Sequence, residues 1–409
     1  MSNNEKVTML EEARSQLSRI SKRDDVVKAW VARHEDAVIL DAVEGAPPGS
    51  LHGWTIGVKD VIDTADLPTE RGSPIYANRW TGNDAACVAG ARAAGAVVLG
   101  KTVTTEFALF TPNKTTNPHN PDRTPGGSSS GSAAAVADNQ VRAAFGTQTV
   151  GSVLRPAAYC GVVGFKPTYQ LVPTAGVATL SHSFDTVGWF TKNVTDSKMM
   201  FSTLVDTNLD EPTRIKKIGR YLSHQWEAAK PEMAEVMRLG EKKLSDAGIE
   251  VVNVDPLKHL APVFEAANTV LHYEVVRVFA WERKNHADLI SPLLQKMLLN
   301  GDKVDHRKYR AAQLVLLKAR NLHDEFMSES GLDALITPSA SSEAPSIGTT
   351  GDSVFNRVWT ALGVPAIHLP TGKGPLGLPV GVQLTGSMWG DNKLLGVANE
   401  AEKIFGATA

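Results

Sequence analysis

Two turns rich in glycine and serine, whose serines Ser128 and Ser152 lie 24 residues apart, constrain this chain more than any other feature. The first turn, Gly126 to Gly131, leads directly into a small-residue segment that predicts a helix over 132–137. That helix would aim its N-terminal N–H groups and positive dipole end at the serine turn. A glycine- and serine-rich run on its own is usually a flexible linker, but a linker is seldom followed by a helix and then by a second such turn. We therefore predict that both turns are built into one fold.

Apolar periodicity around the turns predicts alternating helices and strands, the pattern of an α/β fold. Trp54 to Lys59 predicts a buried strand that ends at the lysine, and apolar residues between Leu10 and His34 predict two short surface helices. The remaining predicted segments are a helix over 84–95, a strand over 96–100, a long polar loop over 111–131, strands over 334–338, 365–369 and 379–384, and a last helix over 393–405.

Between residues 213 and 330 the sequence predicts a more helical region. Strands over 215–220 and 249–254 flank an amphipathic helix over 232–247, and longer helices continue to residue 325. We interpret this region as an outer lobe or lid. Its aromatic and histidine side chains have mixed spacing, which leaves open whether they belong to the core or to a pocket wall: Phe264, His272, Tyr273, Phe279 and Trp281.

Composition excludes several function classes. The 42 basic and 44 acidic residues give a net charge of −2, without the concentrated basic stripe that nucleic acid or an anionic membrane requires. No segment approaches the ~20 apolar residues that cross a bilayer, and the N-terminus lacks a signal-peptide pattern. Two cysteines, Cys87 and Cys160, do not form a disulfide framework. We expect a cytoplasmic enzyme.

Competing catalytic motifs fail on their context. Residues 127–131 match a G-x-S-x-G nucleophile elbow with Ser129 at its centre, but such an elbow follows a buried strand and residues 120–125 do not predict one. A phosphate-binding loop would need a lysine where Ser132 stands. The 11 histidines form no zinc-binding pattern, and Cys160 is expected to pack as a small apolar residue.

The two serine turns, together with Lys59 in Gly57-Val58-Lys59-Asp60, resemble the amidase signature family. Residues 160–168 and the predicted strands at 335–338 and 378–383 carry the resemblance through most of the chain. It implies a single large α/β/α domain over 1–409 with a twisted mixed central sheet, a catalytic core at about 50–200 and 330–409, and the variable helical lobe at about 213–330. It also implies a hydrolase of carbon–nitrogen bonds that uses no metal and no cofactor.

The resemblance assigns a role to each site residue. Ser152 would be the nucleophile, Ser128 a proton relay that carries a cis peptide bond, and Lys59 the base. A lysine can act as a base only if burial or a nearby cation lowers its pKa, and the apolar strand before Lys59 offers such surroundings. Without the serine turns, pairing of Lys59 with Asp60 or Asp63 would be the simpler interpretation. The oxyanion hole would use the backbone N–H groups of the nucleophile turn, at Thr149, Val150, Gly151 and Ser152.

Three departures from the family pattern bear on the substrate. Gln148 stands where an aspartate is usual, and Arg155 lies three rather than two places after the nucleophile; both features resemble the malonamidase branch. Val150 stands where a glycine is usual and could alter the acyl pocket. Arg155 either binds a substrate carboxylate, which would favour malonamate, or braces the nucleophile turn through backbone carbonyls.

Under the bracing interpretation, the same machinery would serve neutral aryl or alkyl amides or carbamates, with esterase or urethanase side activity. A non-catalytic or amidotransferase-type subunit is a further alternative, which the length of this chain disfavours. The expected partner is a small-molecule amide, with no nucleic acid and no membrane, and a homodimer is left open.

Overall fold

The central sheet organises the computed structural model, which describes residues 3–208 and 214–406. Within these residues, eleven strands form one sheet in the order β1-β3-β2-β4-β6-β5-β10-β11-β9-β7-β8. The strands are β1 (Trp30–Arg33), β2 (Thr55–Lys59), β3 (Val97–Thr102), β4 (Ala143–Gln148), β5 (Val163–Lys166), β6 (Thr186–Thr191), β7 (Lys217–Tyr221), β8 (Glu250–Val254), β9 (Ala334–Pro338), β10 (Ala366–Lys373) and β11 (Pro379–Thr385).

Helices cover both faces of this sheet. They are α1 (Asn3–Val27), α2 (Asp36–Glu44), α3 (Ala86–Ala93), α4 (Ser130–Ala137), α5 (Leu154–Cys160), α6 (Val194–Val205), α7 (Pro231–Asp246), α8 (Val263–Val278), α9 (Ala280–Asn285), α10 (Pro292–Gly301), α11 (His306–Ser330), α12 (Arg357–Leu362) and α13 (Asp391–Phe405). Neighbouring strand residues point to opposite faces. On β3, Val98 belongs to the apolar cluster that includes residues of α3, α6, α7 and α13, whereas Leu99 belongs to the cluster of α1, α2, α4 and α5. This arrangement confirms the predicted fold class, a single α/β domain with a mixed sheet covered by helices.

Strand direction places the two key loops together. β2 is parallel to both β3 and β4, so the carboxyl ends of all three lie at one edge of the sheet. Val58 is the register partner of Phe145, so Lys59 at the end of β2 lies beside the end of β4. The nucleophile turn begins where β4 ends, at Gln148.

The prediction for the N-terminal region was wrong. Instead of two short helices over 10–34, the chain forms one long helix, α1, and then the edge strand β1. Lys28 has a φ of 54°, a left-handed conformation that ends the helix, and Trp30 to Arg33 then pair antiparallel with β3. An apolar cluster such as Val26, Val27, Trp30 and Val31 fits helical spacing, and only the pairing with β3 decides for the strand.

The segment predicted as an outer lobe contributes to the same sheet. β7 pairs in parallel with β9 and β8, and the helices α8 to α11 follow. Residue 213, where this segment was predicted to begin, lies outside the described residues, as do 407–409 at the end of the predicted core. Within the described residues, no helix is both long enough and apolar enough to span a membrane. Cys87 and Cys160 are free, buried thiols.

Candidate active site

Lys59 lies at the centre of the site that the sheet edge forms. It is fully buried, and its Nζ lies 2.7 Å from Ser128 Oγ and 2.8 Å from Thr147 Oγ1. It forms an ion pair with neither Asp60 nor Asp63; these carboxylates lie near Lys101 and Arg79 instead. Burial lowers the pKa of Lys59 well below its ordinary value; the Asp185 carboxylate partly opposes this and the Arg155 cation adds to it. A neutral amine that can take up a proton is therefore accessible at this position.

Ser128 lies in the turn between the long polar loop and α4. The Gly127–Ser128 peptide bond is cis, as the resemblance predicts. The turn is held from outside by the backbone N–H of Thr105, which donates to the Ser128 carbonyl at 3.2 Å. The Ser128 side chain is fully buried, and its hydroxyl faces Lys59.

Ser152 lies between the end of β4 and the start of α5. Its hydroxyl has no hydrogen-bond partner among the residues that the structure describes, Ser128 included. The structure thus joins Lys59 directly to Ser128 and leaves the Ser152 hydroxyl free for a ligand.

Gln148 fixes the nucleophile turn from both sides. Its Oε1 accepts hydrogen bonds from the backbone N–H groups of Val153 and Leu154, at 2.8 and 3.0 Å, and so satisfies donors at the N-terminus of α5. Its Nε2 donates to Thr360 Oγ1 at 2.9 Å, and Thr360 in turn donates to the Val150 carbonyl at 2.8 Å. The departure from aspartate therefore has a structural role in this chain.

The backbone of the turn offers donors to a ligand. Among the described residues, the N–H groups of Val150, Gly151 and Ser152 donate no hydrogen bond, although unpaired N–H groups in buried segments are rare. Gly151 is required by space, because an added Cβ would lie 2.7 Å from Asn356 Oδ1. Thr149 Oγ1 donates to the Asp185 carboxylate at 2.6 Å, which orients the start of the turn. Such a row of free donors is suited to an oxyanion.

Arg155 is buried against two backbone carbonyls. Only 1% of the residue is exposed; Nη1 donates to the Gly351 carbonyl at 2.9 Å and Nη2 to the Gly127 carbonyl at 2.5 Å. Burial lowers its pKa to about 10, so the guanidinium remains charged at neutral pH. These contacts favour the bracing interpretation over a substrate-carboxylate role.

Sequence reasoning missed Thr147, Asp185 and Thr360. Thr147 lies next to Gln148 on β4, but nothing in the pattern distinguishes a threonine that faces Lys59 from one that packs. Burial raises the pKa of Asp185 to about 6, and its carboxylate also accepts from the N–H groups of Leu180 and Ser181. Thr360 comes from α12, more than 200 residues along the chain, so no local signal could have found it.

Known proteins resemble the chain over most of its length. A family model described as Amidase matches residues 12–395. A glutamyl-tRNA(Gln) amidotransferase subunit of Cereibacter sphaeroides is 30% identical, over 91% of this chain and 88% of that protein. A solved structure described as an amidase superimposes with a TM-score of 0.89 at 29% identity, covering 97% of this chain and 96% of the other. A peptide amidase in complex with the competitive inhibitor chymostatin gives a TM-score of 0.83 at 28% identity, covering 97% and 94%. The chain belongs to the amidase signature family.

Proposed function

We propose that this protein hydrolyses the carbon–nitrogen bond of small amides through an acyl-enzyme formed on Ser152. Ser152 Oγ attacks the amide carbonyl, and its proton passes through the Ser128 hydroxyl to the neutral amine of Lys59. The oxyanion that forms accepts hydrogen bonds from the N–H groups of Val150 and Gly151, with those of Thr149 and Ser152 at either side. The proton then returns through Ser128 to the leaving nitrogen, and a water molecule releases the acyl group by the same route.

The observation that carries this proposal is the buried contact between Lys59 and Ser128. A charged lysine without a carboxylate partner is costly to bury, and here burial favours the neutral form that a base needs. The free Ser152 hydroxyl and the unpaired N–H groups beside it support the remaining steps.

The test compares Ser152→Ala, Ser128→Ala and Lys59→Met with the wild type on an anilide, with Ser130→Ala as the matched control. Ser130 is the first residue of α4, the helix that follows Ser128, and its hydroxyl makes only a 3.3 Å hydrogen bond to the Val103 carbonyl. We expect the three variants to lose at least a thousandfold in kcat, and Ser130→Ala to retain activity. Mass spectrometry should detect an acyl adduct on Ser152 of the wild type. Turnover by Ser152→Ala at the wild-type rate would overturn the proposed catalytic triad of Ser152, Ser128 and Lys59.

For the substrate, we propose a short amide that carries a carboxylate, such as malonamate. The sequence pattern of Gln148 and Arg155, which resembles the malonamidase branch, supports this choice, although the contacts of the Arg155 side chain do not. Neutral aryl or alkyl amides, esters and carbamates contain the same kind of acyl centre and are the alternative substrates. Initial rates on malonamate, an anilide and an aryl carbamate distinguish these classes, and a wild type that ignores malonamate would exclude malonamate itself.

A second candidate is a role as the amidase chain of an amidotransferase, which the similarity to glutamyl-tRNA(Gln) amidotransferase chains supports. Such a role predicts that the chain liberates ammonia from glutamine for a partner. Release of ammonia from glutamine by the purified chain, with no hydrolysis of malonamate or of an anilide, would favour this candidate.

A further inference from the structure

A cavity of about 290 Å³ is lined in part by residues that are hydrogen-bonded to the turn after Lys59. Its lining includes a cation, a carboxylate and apolar side chains: Arg71, Phe107, Ala178, Val278, Phe279 and Glu282. The rings of Phe107 and Phe279 lie 5.0 Å apart and form an apolar wall. Phe279 belongs to the apolar core and also lines this cavity, so it has both of the roles that the sequence left open for the aromatic residues of this region.

Residues that line this cavity are hydrogen-bonded to the segments around Lys59 and Ser128. The backbone N–H of Arg71 donates to the carbonyl of Asp60, the residue after Lys59, at 2.9 Å. Phe107 N–H donates to the Arg71 carbonyl at 2.9 Å, and Phe107 lies two residues after Thr105, whose N–H holds the Ser128 carbonyl. Ala178 N–H donates to the Val61 carbonyl at 2.8 Å. Backbone hydrogen bonds therefore connect the cavity walls to the turns that position Lys59 and Ser128.

The Arg71 guanidinium is available to a ligand. Within the described residues it makes no hydrogen bond and no ion pair, and it stacks over the Tyr76 ring, 4.3 Å from the centroid. By contrast, Arg79 pairs with Asp63 at 2.8 Å, and Arg155 donates to two carbonyls. Arg71 also has a φ of 58°, a left-handed conformation that is strained for a non-glycine residue. A strained position that holds a half-buried, unpaired cation is typical of a binding site.

Glu282 belongs to the same lining, and its charge attracts the Arg71 guanidinium through space. It is only 5% exposed; its Oε1 accepts a hydrogen bond from Tyr76 Oη at 2.7 Å, whereas its Oε2 has no partner among the described residues. Tyr76 thus contacts both charged groups: its hydroxyl donates to the Glu282 carboxylate, and its ring stacks against the Arg71 guanidinium. The cavity combines an apolar wall with one cation and one carboxylate; the cation, which has no ion-pair partner among the described residues, suits an aliphatic acyl chain that ends in a carboxylate.

We propose that Arg71, and not Arg155, binds the carboxylate of the acyl group of the substrate, so that the preferred substrates are ω-amides of dicarboxylic acids. This inference rests on the proposed amide hydrolysis. The far carboxylate would form a charge-assisted hydrogen bond with the guanidinium in the cavity, while the amide carbon lies at Ser152.

The experiment uses the monoamides of malonic, succinic, glutaric and adipic acids, each beside its neutral diamide. The acid-to-diamide ratio of kcat/KM measures recognition of the charge, and the chain length with the highest ratio measures the span from Ser152 to Arg71. We expect Arg71→Met to lower that ratio by about ten- to a hundredfold, and Arg71→Lys to lower it less. Glu282→Gln keeps an acceptor for Tyr76 but removes a negative charge beside the carboxylate, so the ratio should rise.

The matched control is Arg92→Met, which removes the same charge from an arginine that pairs with Asp66 outside the cavity, and the ratio should not change. The proposal would be overturned if the acid-to-diamide ratio of kcat/KM in Arg71→Met, as in Arg92→Met, equalled that of the wild type at every chain length.

Binding separates this inference from the proposed function. In a Ser152→Ala background, where turnover is not needed, calorimetry with the free dicarboxylates should give a Kd that Arg71→Met raises at least tenfold. If the wild type hydrolyses no amide but this shift is found, the proposed reaction fails and the carboxylate site stands. If amides are hydrolysed and the Kd does not shift, the carboxylate site fails alone.

Discussion

At the scale of single residues, Thr147 is the closest partner of the proposed base apart from Ser128. Its Oγ1 lies 2.8 Å from Lys59 Nζ. Among the described residues, the only hydroxyls hydrogen-bonded to this amine are those of Thr147 and Ser128. Thr147→Val keeps the shape and removes the hydrogen bond, so the Lys59 amine loses its orientation. We expect kcat to fall about ten- to a hundredfold with little change in KM. Steady-state kinetics check this, Thr147→Ser should recover most of the rate, and an unchanged kcat in Thr147→Val would contradict the role.

Arg155 offers a second test at this scale, since its two proposed roles predict different kinetics. The guanidinium ties the Gly127 carbonyl, just before Ser128, to the helix that follows Ser152. Arg155→Met should therefore lower kcat for malonamate and for a neutral anilide by similar factors, on the order of a hundredfold. The comparison of the two substrates is the measurement. A loss confined to malonamate would restore the carboxylate role of Arg155.

At the scale of elements, α5 is a short helix of seven residues, and all of them are buried. Gln148 satisfies two N–H groups at its start, and a helix end buried without partners is unfavourable. Gln148→Leu should lower the free energy of unfolding by about 1–3 kcal/mol and also lower kcat, because Ser152 lies between Gln148 and α5. Urea titration and kinetics measure the two effects, with Gln148→Glu as the control that keeps the acceptor. Wild-type stability in Gln148→Leu would show that the turn holds without this cap.

The same elements show what sequence can and cannot predict. Local periodicity is sufficient for β2 and α4, because one is a continuous apolar run and the other a small-residue segment after a serine turn. It is not sufficient for β1, whose strand conformation depends on pairing with β3. The family pattern predicts Lys59, Ser128 and Ser152, but the direction of the Arg155 side chain depends on the carbonyls of Gly127 and Gly351. Contacts between distant segments leave no local signal.

At the scale of the whole molecule, buried polar side chains connect the helices after β8 to the nucleophile turn. Glu274 of α8 is fully buried and accepts hydrogen bonds from Ser181 Oγ and Ser183 Oγ, both at 2.5 Å, and from Tyr309 of α11 at 2.9 Å. Ser181 N–H donates to Asp185, which holds Thr149. Buried hydrogen bonds therefore connect α8 and α11 to the nucleophile turn, and a change in the packing of these helices should shift the position of that turn.

Lys166 gives a test of how a buried charge affects the stability of the whole molecule. It is fully buried on β5, its Nζ donates to the Pro167 carbonyl at 2.7 Å, and burial lowers its pKa to about 7, against the attraction of Asp391. Between pH 7 and the unfolded value of 10.5, the unfolded chain binds a proton at this lysine that the folded chain does not. The folded state is therefore penalised progressively as the pH falls through this window.

We expect the free energy of unfolding of the wild type, relative to Lys166→Met, to rise with pH across this window by up to about 1.4 kcal/mol per unit. The methionine of the variant binds no proton in either state, so this position adds no dependence on pH to the free energy of unfolding of the variant. Urea titrations of both proteins at several pH values from 7 to 9.5 give the difference directly. Lys217→Met, at a half-exposed lysine that pairs with Glu250, is the control and should parallel the wild type. Parallel curves for Lys166→Met and wild type would mean that Lys166 keeps its proton in the folded state through the attraction of Asp391, the first residue of α13.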